Sequence, residues 1–184
     1  MTIVYLDYVV PGSILLPIAV LLSKYRSVPA HVKLLFYYLV ISALVNLTGI
    51  IMARNNLPNI WLIHVQTTVE SFLLLWLFSF IIKKPVILKM IRVLMIGFPV
   101  FCIINLLFIQ GTGNFPSYTR PVEALIFIAL CMIYWAQESD EEIPWANNPA
   151  NWFVTGLFLY FSGAFFIFLF SSYLAGYVSL KVMD

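Results

Sequence analysis

Apolar residues in this chain gather into six long runs. They are neither restricted to one helical stripe nor alternated with polar residues as in a strand. The runs cover about residues 3–22, 32–52, 60–82, 85–109, 121–137 and 152–173. Each is close to the ~20 residues a helix needs to cross a bilayer. The fifth reaches that length only if it continues through Ala136 and Gln137. Between the runs lie helix stop and start signals: Ser27-Val28-Pro29, Asn55-Asn56-Leu57-Pro58-Asn59, Lys83-Lys84-Pro85, Gly111-Thr112-Gly113-Asn114 and Asn147-Asn148-Pro149. The short alternating segments of a membrane β-barrel are absent. The pattern predicts an all-α, polytopic transmembrane bundle of six spans forming one domain over residues 1–184.

Composition agrees. The chain is 62% hydrophobic and 10% charged, with mean hydropathy +0.98, far from the quarter-charged composition of soluble domains. The expected surroundings are therefore the lipid bilayer. A net charge of +2 and the lack of a basic cluster interleaved with aromatics argue against nucleic acid as a partner. Cys102 and Cys131 both fall inside apolar runs and read as small buried hydrophobes. The first charge is Asp7, and Pro11 and Pro17 interrupt the first run, so no signal peptide is expected.

Lysine and arginine set the orientation. The first, third and fifth connections with their flanks hold Lys24, Arg26, Lys33, Lys83, Lys84, Lys89 and Arg92, against Arg54, Arg120 and Lys181 on the other side. The positive-inside rule then places the N-terminus outside. The acidic Glu138, Asp140, Glu141 and Glu142 carry little weight in that rule and read as a solvated loop or a docking surface for a cytoplasmic partner.

Each ionisable group inside a span costs roughly 2.5–3.5 kcal/mol on insertion scales and needs a reason. On this topology His64, Gln66, Thr67, Thr68 and Glu70 occupy the outer half of the third span. Asn46 and Thr48 lie in the middle and outer half of the second, Asn105 near the outer end of the fourth, and Arg120 and Glu123 at the outer start of the fifth. At 100° per residue His64, Thr67, Thr68 and Ser71 share a face, with Glu70 at its edge. His64, Gln66, Thr67, Glu70, Asn105 and Glu123 are thus candidates to line a cavity open to the outside, suited to a small polar ligand, a lipid headgroup or a metal ion.

Structural readings compete with this one. His64 also reads as a headgroup-level residue, and Glu123, two residues after Pro121, as a helix-capping carboxylate. Arg120 reads as an interfacial anchor or as a partner for Glu123. Asn46 and Asn105 read as interhelical hydrogen bonds, and Gly156 with Gly163 as a close-packing seam. Gly97-Phe98-Pro99 marks a kink in mid-span.

The arrangement of spans, with Trp61-Leu62-Ile63-His64 followed six residues later by Glu70, resembles a family of bacterial seven-helix membrane proteins known as hypothetical proteins, some of them encoded near sensor kinases. The resemblance covers most of the chain. It implies a bacterial inner-membrane location, a seventh span missing here, and a C-terminus inside in the intact protein. It carries over no functional residues.

Function classes narrow accordingly. With two histidines, His31 and His64, expected on opposite sides, a three-histidine zinc hydrolase is disfavoured, and no lysine lies mid-span for a retinal Schiff base. Phosphate-binding glycine loops, nucleophile elbows and haem ligand pairs are missing too, so the reading leans away from an enzyme and no cofactor can be named. Two similar halves with broken helices, the mark of many transporters, are not evident. The first expectation is a receptor-like sensory or accessory module with a polar pocket at its outer face and a cytoplasmic or membrane signalling partner. A small-solute transporter or channel is the alternative, and a structural subunit of a membrane complex is a third.

Overall fold

The computed structural model describes residues 12, 14–138 and 144–182, with side chains described for all of these except 30, 31, 138 and 171–182. Six helices follow one another: α1 (Leu15–Ser23), α2 (Ala30–Arg54), α3 (Ile60–Ile81), α4 (Pro85–Ile104), α5 (Thr119–Glu138) and α6 (Pro149–Val182). No strand occurs among the described residues. Five segments are long and apolar enough to cross a membrane: Val32–Arg54, Ile60–Ile81, Pro85–Gln110, Thr119–Gln137 and Pro149–Phe170. These match the second to sixth predicted spans. The first predicted span and the acidic loop fall largely outside the described residues.

Breakers set the boundaries. Pro85 opens α4 at its first turn, where a missing N–H costs nothing. After α2, Asn56 takes a left-handed conformation at φ 55°, a position asparagine tolerates. Two boundaries differ from expectation. The fifth helix starts at Thr119, before Pro121, because proline is tolerated in a first turn whose N–H groups lack intrahelical partners. The sixth runs on to Val182, past residue 173, since the sequence there holds neither proline nor an asparagine break.

Chain neighbours pack as antiparallel pairs, most extensively α5 with α6 and α3 with α4, and α5 also packs on α3. Buried positions recur every three or four residues: His64, Thr67, Glu70, Ser71, Leu74, Leu75 and Phe78 on α3, then Glu123, Ala124, Phe127, Leu130, Cys131 and Tyr134 on α5. That is the inward stripe of a helix in a bundle. Its apolar part centres on Phe127, stacked on Phe161 with ring centroids 5.0 Å apart and 6.0 Å from Phe78. The outer faces are apolar as well: Val86, Ile96, Phe108, Leu159 and Phe166 are exposed, as a lipid-facing surface requires.

Polar groups lock one end of the bundle. Tyr134 donates to Asn151 Oδ1 at 2.7 Å, Asn151 donates to the Trp145 carbonyl at 2.9 Å, and the Lys83 N–H reaches Gln137 Oε1 at 3.0 Å. Among the described residues no glycine seam forms. A Cβ built on Gly156 or Gly163 meets no atom within 4 Å, so both face open space within this chain. Asn46 also departs from its expected role, bonding the Ser42 carbonyl of its own helix at 2.9 Å.

Lipid tails are as apolar as leucine, so core packing here is chiefly a matter of filled volume. Phe161→Ala leaves a cavity expected to cost about 2 kcal/mol, whereas Leu159→Ala on the lipid face should be near neutral. Reversible unfolding in mixed micelles compares the two.

Candidate functional site

The fifth helix begins inside the bundle. Gly111, at φ +70°, ends the preceding helical segment, and residues 112–118 turn back with Pro116, Thr119 and Arg120 buried. The bond between the Lys83 N–H and Gln137 fixes the register of α3 against α5 at the far end. Counting back at 1.5 Å per residue puts Glu123 about level with Glu70, roughly 20 Å from that bond. Arg120, one turn before Glu123, therefore hangs over both carboxylates.

The contacts agree with this register. Arg120 Nη1 donates to Glu70 Oε2 at 2.8 Å and to Glu123 Oε2 at 3.0 Å. All three side chains are buried. Glu70 Oε1 accepts a further bond from the Tyr38 hydroxyl of α2 at 2.8 Å. The Arg120 guanidinium also lies 5.5 Å from the centroid of the Phe168 ring on α6, a cation–π distance. Glu123 is thus an ion-pair partner of Arg120. It does not cap the helix, because the helix begins two residues ahead of Pro121.

A second polar group lies nearer the 111–118 loop. His64 Nε2 donates to the Asn114 carbonyl at 2.8 Å, so the ring is held by the loop. Helix α4 contains Pro99 and widens into π-helical turns over Asn105–Gln110. Those turns place residues five apart in contact: Asn105 Nδ2 donates to Gln110 Oε1 at 2.7 Å. Gln110 Nε2 donates to the Phe115 carbonyl at 3.1 Å, and Asn114 Nδ2 to the Gln110 carbonyl at 2.7 Å. Asn105 therefore braces its own segment and the loop where an interhelical bond was expected.

The six sequence candidates separate. Glu70 and Glu123 meet on Arg120. His64 and Asn105 belong to the loop network. Thr67 donates to the Ile63 carbonyl of its own helix at 2.7 Å, and Thr68 and Ser71 likewise bond within α3. Gln66 turns toward α2, where it lines a groove of about 270 Å³ with Asn46 and Asn59. Among the described residues, no three His, Cys, Asp or Glu side chains group to hold a metal. The four grooves delineated on the described surface are lined by other residues than the triad.

Sequence reading missed Tyr38, Gln110 and Asn114 as members of the network. Tyr38 gave a signal, since it lies nine residues into α2, deeper than an interfacial belt requires. The two amides gave none, because their roles depend on the π turns and the inward loop.

These features define a multi-pass α-helical membrane protein with a buried, charged centre. Compared with family models, curated proteins and solved structures, the chain matches none.

Tyr38→Phe removes a bond to a carboxylate and is expected to destabilise the protein by about 1.5–3 kcal/mol. Gln66→Ala, outside the network, should cost under roughly 0.5 kcal/mol. Thermal unfolding in detergent of matched variants distinguishes the two.

Proposed function

We propose that the chain is a receptor-like sensory or accessory module of a bacterial inner membrane, with the 111–118 loop at the outer face. The observation that carries the reading is continuity between that loop and the buried centre. Asn114 is bonded to His64 on α3, and six residues later Arg120 joins α5 to Glu70 of the same helix. A ligand or partner that moves the loop moves the first turn of α5, and with it the guanidinium between two carboxylates. Packed elements of this kind have discrete arrangements, which makes them suitable relays.

Among the described residues the buried charge is one-sided, in keeping with sensing from one face. Toward the lysine-rich end the core between α3 and α5 is Leu74, Leu75, Phe78, Phe127 and Leu130, without a polar path. That favours a relay over a small-solute transporter or channel. The orientation also gains support, because Arg120 is a buried network member and drops out of the loop charges weighed by the positive-inside rule. Lys24, Arg26, Lys33, Lys83 and Lys84 at the opposite end then face the cytoplasm and a signalling partner.

Hydrogen–deuterium exchange of the reconstituted chain tests the relay. His64→Ala is expected to raise exchange in the loop and also in residues 119–124 and 68–71, while 151–157 stays unchanged. A rise confined to residues 111–118 contradicts it.

A further inference from the structure

The centre of the bundle holds two carboxylates and one guanidinium. If both acids are ionised, one negative charge remains in a core that lipid surrounds. Uncompensated buried charge is costly. The hydrogen bonds indicate where the imbalance falls. Glu70 has both oxygens satisfied, Oε1 by Tyr38 and Oε2 by Arg120. Glu123 has only one: Oε2 accepts from Arg120, while Oε1 is buried with no partner. A carboxylate oxygen in that position lacks every bond its lone pairs would take, whereas a carboxylic acid there is neutral and needs less.

Building on the relay reading, we propose that Glu123 is the sensing group and holds a single exchangeable proton on Oε1. The proton comes from hydronium in water at the 111–118 end: an O–H bond forms at Oε1, and one breaks in hydronium to leave water. With the proton bound, Arg120 and Glu70 are a one-to-one ion pair and the centre is neutral. With it lost, Arg120 is shared by two full carboxylates and the centre carries one excess negative charge. That excess favours arrangements that admit water or open the first turn of α5.

The groups facing Glu123 define its field. Glu70 of α3 and Arg120 of its own helix are the charged groups that meet beside it. Cys102 of α4 and Tyr160 of α6 lie within electrostatic reach of the same carboxylate. Tyr38 of α2 acts through its bond to Glu70. Asn105 Oδ1, three residues beyond Cys102 on α4, is a second buried acceptor without a donor. The π turns thus bring another unmet acceptor to the loop side of the centre.

Infrared spectroscopy of the full chain in proteoliposomes tests the proposal. At neutral pH exposed carboxyls, with ordinary values near 4, are ionised. The wild type is nevertheless expected to show a protonated-carboxyl C=O stretching band that exchanges with heavy water and disappears on alkaline titration. Glu123→Gln, of the same shape and neutral, should fold and lack that band. His64→Ala should keep it, so failure of the relay and failure of the proton site give different results. Absence of the band in the wild type at neutral pH overturns the proposal whether or not Glu123→Gln folds. Persistence of the band in Glu123→Gln also overturns it.

Discussion

One guanidinium holds the polar half of this bundle together. Arg120 reaches Glu70 on α3 and Glu123 on α5 from a helix start that the chain has carried inward. In a surface setting such a pair contributes little, because water screens it and the side chains lose entropy. Within a bundle surrounded by hydrocarbon, the same charges have few other partners, and the helices that carry them must keep their register. The loop dips, Thr119 and Pro116 are buried, and Tyr38 turns in from α2, all around this one contact.

The rest of the molecule divides about that centre. Toward the lysine-rich end, α3, α5 and α6 are joined by Phe78, Phe127 and Phe161 and by the Tyr134–Asn151 lock, an apolar and rigid half. Toward the loop, packing gives way to hydrogen bonds between amides and backbone carbonyls at the π turns of α4. The π-helical segment matters here because it brings Asn105 beneath Gln110, a spacing an α-helix does not bring into contact. A half fixed by packing and a half fixed by a few polar bonds differ in how readily they move. That contrast underlies the reading of the loop side as the responsive one.

Much of the fold was legible in the sequence, because spans are long apolar runs and breaks are proline, asparagine and charge. The second to sixth helices follow those signals closely. The start of α5 and the end of α6 did not, since Pro121 sits within a first turn that begins two residues earlier and the last apolar run has no stop signal. Of the site, Glu70 could be singled out from depth alone: a carboxylate about 15 Å into a span must be paired or neutral. Its partner was harder to find. Arg120 stands next to a loop in sequence and read as an anchor or as a partner for Glu123, and its bond to Glu70 was not foreseen because nothing local shows that the loop turns inward. His64, Asn105 and Gln66 read as polar groups toward one end, but helical periodicity does not say which neighbouring helix each one faces.

A double-mutant cycle on Glu70 and Arg120 tests the central claim most directly. The unfolding free energies of wild type, Glu70→Gln, Arg120→Gln and the double variant would be measured in the same micelles. If the buried pair organises the loop-side half, Arg120→Gln strands Glu70 and Glu70→Gln leaves Arg120 with Glu123 alone, the double variant is less destabilised than the two singles summed, and the coupling exceeds about 1.5 kcal/mol. Additivity within about 0.5 kcal/mol would contradict the account, because the two residues would then act independently.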